Sequence, residues 1–166
     1  MSPQQTRWLS SEQQAAWRAY ILGTTLLMDT LDRELRQAHG LSLAEYEILV
    51  RLSETPNRRL RMSQIAESMR HSRSRVTHTV SRMEKSGLVQ RCAAAGDGRG
   101  VEARMTDKGW DLLVKAAPTH VTGVREHLVD LATDDQFGTF GIVMNAVSDH
   151  LIADNPAFDD IRPGHD

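Results

Sequence analysis

Apolar and polar positions alternate with two periods along this chain, and the change of period divides it. Trp17, Ile21, Thr24, Met28, Leu31 and Leu35 follow one another at steps of three and four, the seam of one long helix. Ser10 with Gln13 forms a capping box at its start, and Gly40 ends it. Ser42 with Glu45 repeats the box, Leu41 and Tyr46 fit a hydrophobic staple, and a short helix is expected to Ser53. Glu54 to Asn57 reads as a turn. Ser63 is expected to open a short helix to Arg70, and Ser72 a longer one ending at Gly87.

The period then shortens to two. Leu88–Cys92 reads as a strand, Ala93–Gly100 as a glycine-rich loop, and Val101–Met105 as the returning strand. Thr106 caps a long helix carrying Trp110, Leu113, Val114, Ala117, Val121, Val124 and Leu128, which Pro118 is expected to kink or interrupt. Thr133 with Gln136 opens the last helix, with Phe137, Phe140, Met144, Val147 and Leu151 as its apolar positions. The tail beyond Asp154 is polar and expected to be loose. The fold class that follows is mainly α. A helix–turn–helix with a small β-hairpin wing is set between flanking helices.

Composition narrows the function classes. At 166 residues and 40% hydrophobic, the chain can bury a core. No apolar run is long enough to span a membrane and no apolar leader precedes Trp17, so a cytoplasmic protein is expected. The single cysteine, Cys92, excludes an intramolecular disulfide framework. The seven histidines show no metal-ligand spacing, and Gly96-Asp97-Gly98-Arg99-Gly100 lies between strands, which is not a dinucleotide fingerprint. No metal and no cofactor are expected. Ser–His–acid ordering, paired carboxylates and a phosphate loop are all missing from the motifs, so the chain does not read as an enzyme.

Charge changes the picture more. The net value of −2 conceals a gradient. Between Asn57 and Thr106 eleven basic residues face four acidic ones, a local +7, while the rest carries nine basic and eighteen acidic residues, or −9. A local basic footprint suits a polyanion. On the helix after Ser72, Val76, Val80 and Met83 share the apolar stripe. Arg73, Ser74, Arg75, Thr77, His78, Ser81, Arg82 and Lys85 lie opposite or beside it, and the helix's one acid, Glu84, falls near the apolar side. A cationic, hydrogen-bonding face without acids fits a DNA major groove. Arg99 on the hairpin tip can enter a minor groove, with Asp97 orienting its guanidinium. A winged-helix interaction module that does not bind DNA shares the apolar stripe, and a binding test separates the two.

The run SQIAESMRHSRSRVTHTVSRMEKSGLVQR, followed by DGRGVEARMTDKG, resembles the winged helix–turn–helix of the multiple antibiotic resistance regulator (MarR) family. That family's wing pattern is Asp-x-Arg, five residues, then Leu-Thr; here Asp97 and Arg99 precede Met105-Thr106, with Met in place of Leu. The resemblance implies a homodimer bridged by the N- and C-terminal helices, reading a pseudo-palindromic duplex. It also implies repression relieved by a small, aromatic or acidic effector. Residues 41–106 would form the head, 8–40 and 107–154 the dimerisation helices, and 155–166 the tail. The flanking helices carry more apolar surface than one small head can cover, which independently suggests a dimer. Trp17, Leu27, Leu31, Phe137, Phe140, Met144 and Val147 are the expected interface residues. An effector pocket is expected where the first two helices meet the kinked helix. Trp17, Tyr20, Met28 and Tyr46 would give it apolar or stacking surface, and Arg18 or Arg70 would pair a ligand carboxylate.

Overall fold

A computed structural model describes residues 6–94 and 100–153. Helix α1 spans Ser11–His39 and α2 spans Leu43–Ser53. Both expected capping boxes form. Ser10 Oγ accepts from the Gln13 amide at 3.2 Å and Ser42 Oγ from the Glu45 amide at 3.3 Å, and both glutamine and glutamate side chains reach back to the cap. Gly40 closes α1 in the left-handed conformation at φ 65°, where a side chain would be strained.

A short 3-10 turn, Pro56–Arg58, leads into β1, Arg59–Arg61. This strand is absent from the sequence-based reading, which ends the turn at Asn57 and leaves the next residues unassigned. Three residues with alternating arginines give no measurable period, and β1 is held by a partner far along the chain. It pairs antiparallel with β3, Arg59 opposite Arg104 and Leu60 opposite Ala103. Helix α3 spans Met62–Ser68, and α4 spans Arg73–Lys85. The start expected at Ser63 is corrected to Met62: α3 begins directly from β1, and the Gln64 side chain accepts from the Arg61 amide at 3.0 Å. Its expected end at Arg70 also recedes, because Arg70 takes φ 54° and turns the chain into the next helix.

Strands β2, Val89–Ala93, and β3, Val101–Met105, form the wing hairpin, and the sheet order is β1-β3-β2. Ala93 therefore belongs to the strand and not to the loop. Helix α5 spans Asp107–His127 and runs through Pro118 without interruption. After a 3-10 turn at Val129–Leu131, α6 spans Asp134–Ala153, opened by the expected Thr133–Gln136 box.

The core lies in the head. Leu49 and Leu52 of α2, Ile65 of α3, Val76, Val80 and Met83 of α4, Val89 of β2, and Ala103 of β3 are fully or almost fully buried. Leu31 and Leu35 extend that core into α1, and Leu113 and Ala116 into α5. The apolar seam of α1 is thus covered only at its C-terminal end. Trp17, Ile21, Leu22, Leu26 and Met28 stay exposed, as do Phe140, Val143 and Val147 on α6.

Candidate nucleic-acid interface

Helix α4 is oriented by its apolar stripe. Val76, Val80 and Met83 point into the core, so the opposite side must face outward. Arg73, Ser74, Arg75, Thr77, His78, Arg82 and Lys85 are exposed, and Ser81 is half-buried. Ser72 caps the helix, its Oγ accepting from the Arg75 amide at 3.3 Å and lying 3.1 Å from Ser74 Oγ. The hydroxyl of Thr77 donates to the Arg73 carbonyl at 2.8 Å.

Two acids near this face, Glu84 and Glu45, are engaged. Glu84 accepts from Arg91 of β2 through the guanidinium, at 2.7 and 2.8 Å, and through the Arg91 amide at 3.0 Å. These bonds hold its carboxyl below the usual carboxylate range, the side-chain bond from Arg91 being the largest cause. Glu45, which already accepts from Ser42, also lies 3.6 Å from Arg82. Arg82 is therefore turned toward α2, a partner that its helix position alone does not reveal.

Other arginines of the basic segment also have internal partners. Arg58 lies over the Trp110 ring at 4.1 Å and 3.7 Å from Asp107, while Arg59 lies 3.8 Å from Glu102. Among the described residues, Arg73, Arg75, Lys85 and Arg104 make no ion pair. Asp97 and Arg99, the expected minor-groove contacts, lie outside the described residues. The base of their loop is closed by the Ala94 amide donating to the Gly100 carbonyl at 2.9 Å.

Sequence reasoning missed a second group beside α4. Arg61 and Ser63 from the start of α3 and Arg91 from β2 share a cleft with Arg73 and Thr77. The local charge count included both arginines, but their placement depends on β1, which the pattern did not reveal.

The residues expected to bind an effector are only partly brought together. Tyr20 and Met28 line a cleft of about 490 Å³ with Leu27 of α1, Leu128, and Phe140 and Met144 of α6. Trp17 stacks on Tyr20 with ring centroids 5.9 Å apart. Arg18 and Arg70 are exposed and do not line it. Tyr46 is buried elsewhere, in the α2–α5 seam, its ring 4.6 Å from that of His120. Burial raises the Tyr46 hydroxyl above its ordinary pKa and lowers His120, whose Nδ1 is buried without a hydrogen-bond partner. Of the expected interface residues, Trp17, Phe140 and Val147 are exposed, and Leu27, Phe137 and Met144 are half-buried. Leu31 is packed into the chain's own core.

Among the described residues no group of three or more His, Cys, Asp or Glu can hold a metal ion. No described helix is long and apolar enough to cross a membrane.

A model of the MarR family matches residues 39–100. Sco3205, a MarR family transcriptional regulator from Streptomyces coelicolor solved in complex with DNA, superposes with a TM-score of 0.83 at 42% identity. The match covers 87% of this chain and 94% of that one. AbsC, a MarR family transcriptional regulator from the same organism, gives a TM-score of 0.83 at 38% identity, covering 89% and 99%. The HTH-type transcriptional regulator PecS of Dickeya dadantii (strain 3937) is 26% identical over 137 residues, 80% of this chain and 82% of PecS.

Proposed function

Because this chain belongs to the MarR family of transcriptional regulators, we propose that it is a cytoplasmic homodimeric repressor of a pseudo-palindromic operator, released by a small effector. The observation that carries the reading is the exposed face of α4, which is cationic and free of unengaged acids. Arg73, Ser74, Arg75, Thr77, His78 and Ser81 meet base edges and phosphates of the major groove. Lys85 and Arg82 meet phosphates at its rim, Arg82 by exchanging Glu45 for the duplex. Arg99 enters the adjacent minor groove, oriented by Asp97.

One head reads few bases. Two heads related by a two-fold axis engage half-sites about one helical turn apart. The exposed apolar side chains of α1 and α6, Trp17, Phe140 and Val147 among them, supply the dimer contact. Residues 41–106 then act as the head, with 8–40 and 107–154 as the dimerisation helices. A small aromatic or acidic effector fits the cleft of Tyr20, Met28, Phe140 and Met144, beside Trp17. It would lie on the dimerisation helices, so binding there changes the spacing of the heads and favours the form that cannot span both half-sites.

The test is fluorescence anisotropy with DNA from upstream of the chain's own gene, across a salt series, with unrelated duplex as control. Specific binding tighter than control by about a thousandfold, with log K falling steeply against log salt, supports the reading. No binding at low salt refutes it.

A further inference from the structure

The cleft between α1 and α6 has an apolar wall and one polar group able to discriminate. Its volume is about 490 Å³, and no Lys, Arg, Asp or Glu lines it among the described residues. The polar side chains in its lining are the hydroxyls of Tyr20 and Thr24 and the ring of His127, the last residue of α5. A hydroxyl both donates and accepts, so Tyr20 and Thr24 do not choose between ligands. The imidazole does, because half of its bonding is already fixed.

Glu34 of α1 lies 2.7 Å from His127 Nε2. A carboxylate only accepts, so Nε2 donates its N–H to Glu34. The bond made by one ring nitrogen sets the role of the other. In the neutral ring Nδ1 is therefore an acceptor, and it has no hydrogen-bond partner among the described residues. The carboxylate behind the ring polarises it and strengthens that acceptor. Gly123, one turn earlier on α5, makes room for the pair, since a Cβ there would fall on Glu34 Oε2.

The surroundings disfavour an anion. Glu34 stands behind the ring, and the cleft lies at the C-terminal end of α5, where the helix dipole places partial negative charge. Arg125, two residues before His127, is paired with Asp130 at 2.6 Å and does not line the cleft. A ligand carboxylate would lose its water there and find no cation except an imidazole that Glu34 already holds. We propose that the cleft selects a neutral aromatic hydrogen-bond donor, a phenol, over an aromatic carboxylate, and that His127, oriented by Glu34, makes the choice. The phenol ring lies among Met28, Phe140 and Met144, and its hydroxyl donates to His127 Nδ1. The inference rests on the effector reading above and narrows its ligand class. It also sets the ligand against the bond that joins α1 to α5, so that both helices sense occupancy.

The test is calorimetric titration of the chain, without DNA, with p-chlorophenol, p-chloroanisole and p-chlorobenzoate at neutral pH. The three share one ring. The phenol is neutral and donates, the ether is neutral and does not, and the benzoate is ionised. The wild type should bind the phenol about three- to tenfold tighter than the ether, and the benzoate more weakly than either. In His127→Phe, which keeps a ring in the wall, the phenol should lose that advantage while the ether keeps its affinity. Glu34→Gln retains an acceptor for Nε2 and removes the charge, so the benzoate should gain severalfold. A benzoate that binds the wild type as tightly as the phenol overturns the inference. So does an unchanged phenol-to-ether ratio in His127→Phe, or an unchanged benzoate affinity in Glu34→Gln. If no probe binds up to its solubility limit, the inference falls together with the effector reading. Anisotropy with the upstream duplex then still decides the DNA-binding reading on its own.

Discussion

Gly109→Ala should unfold the junction between the head and α5. Gly109 sits in the first turn of α5, where its amide donates to Thr106 Oγ1 at 3.1 Å. The same hydroxyl reaches the carbonyls of Gly87 and Leu88 at 2.7 and 3.1 Å, and Lys108 Nζ bonds the Ser86 carbonyl at 2.7 Å. The start of α5 is thereby clamped to the end of α4 and the start of the wing. A Cβ on Gly109 would fall on the Leu88 carbonyl group, 3.2 Å from its carbon and closer to its oxygen, and 3.0 Å from Met105 Cγ. Leu88 and Met105 are buried, and the main obstacle is backbone, so no rotamer change relieves the overlap. Overpacking of this kind costs about 1–3 kcal/mol. The helix preference of alanine over glycine returns up to about 1 kcal/mol. A backbone obstacle puts the cost at the upper end, so a net loss of about 2 kcal/mol is expected. For a chain of this size that is a fall in Tm of roughly 4–8 °C. Thermal unfolding followed by circular dichroism at fixed protein concentration measures it. An unchanged or raised Tm would refute the claim that this glycine is required by close approach.

The remaining predictions concern the core, the reading face and pH. Met83→Ala, at a fully buried site beneath the reading face, should cost about 2–5 kcal/mol, read as a shift in urea midpoint at constant m. Gly123→Ala should cost less than Gly109→Ala, because its Cβ meets the tips of Glu34 and Leu31 rather than backbone; equal Tm losses would contradict this. Arg75→Ala should weaken operator binding more than Arg82→Ala, since Arg82 already lies 3.6 Å from Glu45; anisotropy titrations in the same salt rank the two. His120 is held below its ordinary pKa by burial, so the unfolded chain binds its proton more readily. Its contribution is complete above pH of about 6.5 and is lost as pH falls toward the depressed folded value. His120→Phe, which keeps a ring against Tyr46, should flatten the decline in stability between neutral and mildly acid pH; an unaltered decline would exclude His120 as its source.

Much of the fold was legible because its signals are local. Capping boxes at Ser10, Ser42 and Thr133 depend only on residues three apart, and each forms. The stripe of Val76, Val80 and Met83 depends only on helical spacing, and it correctly orients α4. What stayed hidden depends on distant partners. Strand β1 exists because Leu60 pairs opposite Ala103, more than forty residues on, and without it neither the start of α3 nor the cleft beside Arg73 can be placed. Leu31 and Met28 look alike on the α1 seam. Leu31 packs into the core, while Met28 stays exposed in the cleft between α1 and α6. Tyr46 suits a stacking surface by type, yet the staple position that identifies it also buries it against His120.

The same distinction explains how a chain of net charge −2 can present a cationic face. Counting charges along the sequence locates the basic segment but treats every arginine in it alike. The fold sorts them. Arg58 and Arg59 are spent on Trp110, Asp107 and Glu102 beneath and beside the sheet. Arg91 neutralises Glu84, the one acid on α4, and so removes the residue that would otherwise repel a phosphate. Exposed pairs of this kind contribute little to stability. Their larger effect is on the potential outside the molecule: with Glu84 paired on the sheet side, Arg73, Arg75 and Lys85 make no ion pair among the described residues. Glu84→Gln should therefore change the Tm little while raising low-salt affinity for any duplex, because it uncovers the Arg91 charge that Glu84 offsets. An unchanged affinity would mean that this pair lies too far from the duplex to act on it.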